Sequence, residues 1–68
     1  MASVRRDFVF TTHGKDYMED DSIIMRLKNG KILVGIIKGF SYKCSKGYLI
    51  KLYVDQSEIE IPVDMIDD

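Results

Sequence analysis

Polar and apolar residues alternate in several runs of strand length along this chain. In the first clear run, residues 22–28, the side chains of Ile23, Met25 and Leu27 point to one side and the residues between them to the other. Alternation of this kind is typical of a β-strand that buries one face. The pattern therefore predicts a strand here, with these three residues on one face.

The dipeptide Asn29-Gly30 follows that strand and predicts a hairpin. Both residue types take the positive φ values of a type I′ turn, in which two residues connect the strands. The second strand, Lys31 to Tyr42, is apolar on both faces. One face carries Ile32, Val34, Ile36 and Phe40, and the other carries Leu33, Gly35, Ile37 and Gly39.

The glycines of the second strand, Gly35 and Gly39, lie on one face four residues apart and predict a bend or bulge. A strongly curved central strand lets a short meander close into a small barrel. A third strand is expected over Gly47 to Asp55 and a fourth over Glu58 to Pro62, after which the proline ends the ladder. The sequence therefore predicts an all-β fold, an SH3/Sm-like barrel of four to five antiparallel strands.

The N-terminal part is more polar than the rest. Phe8 to Thr12 alternates and could add a strand, whereas His13 to Asp21 is interpreted as a loop because it is polar and contains Gly14. We therefore divide the chain into an N-terminal segment, residues 1–21, and a barrel core, residues 22–68, within a single domain.

A chain of 68 residues is near the lower limit at which a hydrophobic core stabilises a fold unaided. Its lone Cys44 excludes an internal disulfide, and one cysteine with one histidine, His13, cannot form a four-ligand zinc site within one chain. We therefore expect self-association and no cofactor. One cysteine, no signal-peptide pattern and no membrane-spanning apolar run together predict a cytoplasmic protein.

Charges segregate along the second half of the chain. Residues 31–51 contain five lysines and no acid, and residues 52–68 contain six acids and no base. The lysines are interleaved with aromatic residues, as on a nucleic-acid-binding surface, where lysines neutralise phosphates and rings stack on bases. The candidate residues are Lys38, Tyr42, Lys43, Lys46 and Lys51. The alternative is that the lysines only solvate the strand exterior, which the net charge of −1 favours.

The stretch from Leu27 to Phe40 resembles the first motif of the Sm-like family. Gly30, Gly35, Ile37, Gly39 and Phe40 fall into the register of that motif. The resemblance implies a barrel that can form rings and bind RNA. Ser41 and Ser45 occupy the positions of the family's uridine-pocket Asp and Asn, and residues 58–68 lack its second motif. The ending, Ile59 to Ile66, resembles that of the YolD-like small barrels instead.

A barrel this small cannot bury both faces of its strands, so surplus apolar residues imply a partner. The candidate interface residues are Ile24, Leu33, Ile37, Leu49 and Tyr53. A chain of this size has little volume for a substrate pocket, and no catalytic motif is present. We therefore expect no enzyme and no small-molecule substrate. The sequence favours a protein-interaction or regulatory module that self-associates or binds a larger protein, and the alternative is an Sm-like module that binds RNA or another single-stranded nucleic acid.

Overall fold

Residues 2–5 and 8–67 are described in the computed structural model. They form two antiparallel sheets, which confirms the all-β prediction. The strands of the first sheet are β1 (Ser3–Val4), β2 (Phe10–Thr12) and β3 (Lys15–Tyr17). Those of the second, paired in chain order, are β4 (Ser22–Arg26), β5 (Ile32–Lys43), β6 (Gly47–Val54) and β7 (Ser57–Pro62). A 3₁₀ turn, Val63–Met65, follows β7.

Strand β3 lies where the sequence predicted a loop, so that prediction is wrong for Lys15–Tyr17. His13 and Gly14 connect β2 to β3, with φ values of 49° and 74°. Two consecutive left-handed residues form the tight turn that suits the twist of a hairpin. Thr12 consequently lies opposite Lys15.

The hairpin between β4 and β5 has a different turn from the predicted one. Gly30 has a φ of 92°, but Asn29 does not have a positive φ. The N–H of Gly30 donates to the Leu27 carbonyl at 2.9 Å, and the N–H of Leu27 donates to the Lys31 carbonyl at 2.8 Å. This is a three-residue loop closed by one left-handed glycine, not a two-residue type I′ turn. The Asn29 side chain accepts the N–H of Lys31 at 2.9 Å, which holds the loop.

The extra loop residue decides which face of β5 is buried. With a two-residue turn, Met25 would lie opposite Val34, whereas the observed register places Met25 opposite Leu33. A shift of one residue moves every side chain of a strand to the other face of the sheet. Leu33 and Ile37 are therefore buried, whereas Val34 and Ile36 are exposed.

The core is shared between the two sheets. Phe10 of β2 is fully buried among residues of β4 to β7, and Phe8 stacks on Phe40 of β5 with ring centroids 6.0 Å apart. The N-terminal segment thus supplies one of the largest core side chains. The buried core cluster consists of Phe10, Ile23, Met25, Leu27, Leu33, Ile37, Ile50, Leu52, Ile61 and Ile66.

Strand β5 has two irregular positions near its middle, a close approach to β6 at Gly35 and a bulge after Ile37. Gly35 lies against the Tyr53 carbonyl oxygen and the side chain of Val54, an approach that only a residue without Cβ permits. A bulge between Ile37 and Gly39 then adds one residue to β5 relative to β6. Since the extra residue reverses the alternation, Phe40 packs against the core on the same face as Ile37.

The C-terminal segment returns to the outer edge of β4. Ile66 bridges Leu27, the N–H of Lys28 donates to the Met65 carbonyl at 2.8 Å, and the N–H of Asp67 donates to the Arg26 carbonyl at 2.8 Å. The Arg26 guanidinium also lies 3.3 Å from the Asp67 carboxylate. Strand β4 is thus hydrogen-bonded on both edges near its end.

Candidate protein-interaction surface

The outward side of β4, β5 and β6 carries a continuous group of exposed apolar side chains, which we call the apolar outer face. Ile24 lies opposite Val34, and Ile36 lies opposite Tyr53. Ile24 is 72% exposed, Val34 62% and Ile32 61%. The apolar outer face consists of Ile24, Ile32, Val34, Ile36 and Tyr53.

These residues form a surface because cross-strand neighbours on one face of a sheet lie about 5 Å apart. The high strand propensity of β-branched residues explains why they occur in these strands, but it does not explain why they are exposed to solvent. Single exposed apolar residues are ordinary, whereas a contiguous group of them marks a surface that another molecule covers.

Charged residues border the apolar outer face. The Lys38 ammonium lies 5.8 Å from the centroid of the Tyr53 ring, within the range of a cation–π contact. Glu58 lies opposite Tyr53 on β7, and Arg26 lies opposite Ile32 on β4. An apolar centre containing an aromatic ring and surrounded by charges is the usual composition of a protein interface.

The structure retains only part of the predicted interface. Ile24 and Tyr53 lie on the apolar outer face, but Leu33, Ile37 and Leu49 are buried, so assigning these three to a partner surface was wrong. For Leu33 and Ile37 the cause is the three-residue loop, which turns them inward.

Three residues of the surface were missed from the sequence: Ile32, Val34 and Ile36. The prediction placed them together on the opposite face of β5, with Phe40. The pairing register of β4 and β5 identifies them. Met25 and Ile23 are on the buried face of β4, so their partners Leu33 and Gly35 lie on the buried face of β5. The residues on either side of these partners therefore face outward.

A groove opens beside the apolar outer face, where β5 and β6 diverge. Its volume is about 380 Å³, and it is open to solvent. One wall is the beginning of β5 and the other is the β6–β7 hairpin. The lining residues are Lys31, Ile32, Leu33, Val34, Val54, Asp55 and Ile59.

The predicted nucleic-acid residues fall into two groups. Lys38 and Lys51 lie on the outer side of the second sheet, and Lys51 is directly opposite Glu60. Glu60 also accepts a hydrogen bond from the Ser41 hydroxyl at 3.0 Å. The lysine at this position is therefore next to a carboxylate, which weakens the attraction for phosphate.

The second group lies at the β5–β6 hairpin. Lys43 is the last residue of β5 and Lys46 lies in the turn, where its N–H donates to the Lys43 carbonyl at 3.0 Å. Tyr42 and Tyr48 are paired beside it, with ring centroids 5.0 Å apart in an edge-to-face arrangement. The Tyr42 ring is therefore packed against a second ring, and 60% of the residue remains exposed.

Residues with chemical reactivity do not converge in the described part of the chain. No group of three or more His, Cys, Asp or Glu side chains there could hold a metal ion. Cys44 is an exposed thiol in the β5–β6 turn. In residues 2–5 and 8–67, no helix has the length and apolar character needed to cross a bilayer.

No protein-family model matches the chain, and neither a curated protein nor a solved structure shows significant similarity to it.

Proposed function

We propose that this protein is a non-catalytic protein-interaction module that docks through the apolar outer face. The observation that supports this is the cross-strand pair Ile24 and Val34, which lie opposite each other on β4 and β5 and are both largely exposed. Fully burying an exposed large aliphatic side chain is worth about 1.5–3 kcal/mol, so the four aliphatic residues of the face can supply a substantial part of the energy of a protein interface. The proposal includes self-association of the free protein through this face.

Nucleic-acid binding is the weaker proposal. A phosphate-binding surface needs lysines that act together, and here they are divided between the outer sheet face and the β5–β6 hairpin. Glu60 lies beside Lys51, and the net charge is −1. An apolar face with charged borders is better suited to a protein.

For the fold, we propose that the second sheet forms an SH3/Sm-like barrel. The contacts of the C-terminal segment with Arg26, Leu27 and Lys28 support it, since they link the end of the sheet back to its first strand. If this pairing closes a barrel, the amide protons of Lys28 and Asp67 will exchange only on global unfolding. Fast exchange at both amides, with slow exchange in β5 and β6, would contradict closure.

The docking proposal is tested by sedimentation of the double variant Ile24→Lys, Val34→Lys. The wild-type protein is expected to self-associate at micromolar concentration and the variant to sediment as a monomer, since two charges in the centre of the face must be desolvated on association. Ser45→Lys, in the distant β5–β6 turn, is the control for added charge and should associate like the wild type. Unchanged association of the double variant would overturn the assignment of the face.

A further inference from the structure

The first half of β5 has one paired edge and one open edge. The N–H of Leu27 donates to the Lys31 carbonyl, and the N–H of Ile37 donates to the Asp21 carbonyl at 2.9 Å, so the odd-numbered residues from 31 to 37 direct their backbone groups toward β4. Backbone groups of successive residues in an antiparallel strand point to opposite edges. Those of Ile32 and Val34 therefore point away from β4.

Strand β6 does not reach these groups. The β5–β6 ladder begins at Ile36, opposite Tyr53, and the chain turns away at Asp55 and Gln56. Among the described residues, the ladder between β5 and β6 includes no partner for Ile32 or Val34. The groove runs along this open edge and leaves it accessible.

We infer that the groove binds an extended, apolar segment of a partner protein, which adds to β5 as a strand in the place that β6 vacates. This inference rests on the proposed interaction function and specifies its binding mode. An unpaired strand edge is a template for another strand, and the main-chain hydrogen bonds supply affinity. At about 3.4 Å per residue, the open edge from Ile32 to Val34 accommodates a segment of roughly three to five residues.

The residues that line the groove determine which side chains the bound segment can carry. Residues hydrogen-bonded to Ile32 and Val34 would point outward beside the apolar outer face, and the residues between them would point toward Leu33, Val54 and Ile59. The inward positions therefore require apolar side chains. Lys31 and Asp55 carry opposite charges in the same lining, so a segment without net charge is favoured over a strongly charged one.

The test uses a labelled, capped seven-residue peptide in which valine alternates with threonine, and measures binding to the full chain by fluorescence anisotropy. N-methylation of the threonine amides, which would face β5 when the valines point inward, should weaken binding about tenfold or more. N-methylation of the valine amides should leave binding within about threefold, because those amides point away from β5. Absence of binding by the unmodified peptide at millimolar concentration would overturn the inference.

The variant Ile24→Lys distinguishes strand addition in the groove from the proposed docking through the apolar outer face, on which the inference rests. Ile24 lies on β4, outside the groove lining, so the variant should bind the peptide like the wild type while self-association through the apolar outer face is weakened. Equal binding of both N-methylated peptides would overturn strand addition and leave the docking proposal intact. If Ile24→Lys self-associates like the wild type and only N-methylation of the threonine amides weakens peptide binding, strand addition in the groove is supported and docking through the apolar outer face is contradicted.

Discussion

Gly35 of β5 lies so close to the carbonyl oxygen of Tyr53 on β6 that a Cβ atom at position 35 would overlap it. The conflicting atom belongs to the backbone, which cannot rotate away as a side chain could. Gly35→Ala is therefore expected to lower the free energy of unfolding by about 1–3 kcal/mol or to prevent folding. Urea denaturation followed by circular dichroism measures the effect.

Gly14→Ala is the control for this change. Gly14 has a φ of 74° and open space around the position of a Cβ atom, so alanine there costs only the left-handed backbone strain, about 1 kcal/mol. A loss at Gly35 no larger than that at Gly14 would show that the close approach of β5 to Tyr53 is not a constraint.

The turn between β6 and β7 offers a stabilising substitution. Asp55 and Gln56 have φ values of 50° and 66°, and Val54 lies opposite Ser57, so this is a two-residue turn made of two left-handed residues. Gln56→Gly should raise the free energy of unfolding by about 0.5 kcal/mol, because glycine removes the left-handed backbone strain. The gain is small because glycine also increases the entropy of the unfolded chain. The urea midpoint measures it, and a lower midpoint would contradict the turn geometry.

Adjacent residues of β4 should differ sharply in their contribution to stability. Ile23 is buried in the core and Ile24 is 72% exposed. Ile23→Ala is expected to cost about 2–5 kcal/mol and Ile24→Ala no more than about 0.5 kcal/mol. Thermal unfolding of the two variants at low protein concentration provides the comparison. Similar losses would mean that the outer face is covered within one chain.

Oligonucleotide binding distinguishes the two functional proposals. We expect the wild-type protein to show no salt-sensitive affinity for single-stranded RNA or DNA in titrations at low and high salt. If Lys43 and Lys46 contact phosphates instead, the logarithm of the affinity will fall by nearly one unit per contact for each tenfold rise in salt. Loss of that binding in Lys43→Glu, Lys46→Glu with the fold intact would establish nucleic-acid recognition at the hairpin.

Strands β4, β6 and β7 could be predicted from the sequence because apolar residues recur at alternate positions in each of them. Ile23, Met25 and Leu27 are buried as their spacing indicates. The orientation of β5 could not be predicted in the same way, since both of its faces are apolar and only the turn fixes its register. An Asn-Gly pair fits both the two-residue turn and the three-residue loop, and the Asn29 hydrogen bond to Lys31 favours the longer one.

Strand β3 was missed for a different reason. Its sequence, Lys15 to Tyr17, has no apolar alternation, and its stabilising contacts come from other segments. Asp16 accepts a hydrogen bond from the Thr11 hydroxyl at 2.7 Å and lies 3.6 Å from the Arg5 guanidinium. The Tyr17 ring lies 6.3 Å from that of Phe10. Contacts between segments outweigh local propensity in so short a strand.

The order of the second sheet has a consequence for how the chain folds. Strands β4 to β7 are paired in chain order, so each hairpin closes a short loop at small entropic cost. The bridge between Leu27 and Ile66 instead spans almost the whole sheet in sequence. Local hairpins can therefore form first and the C-terminal contact last, which places the main entropic barrier at the docking of the final residues onto β4.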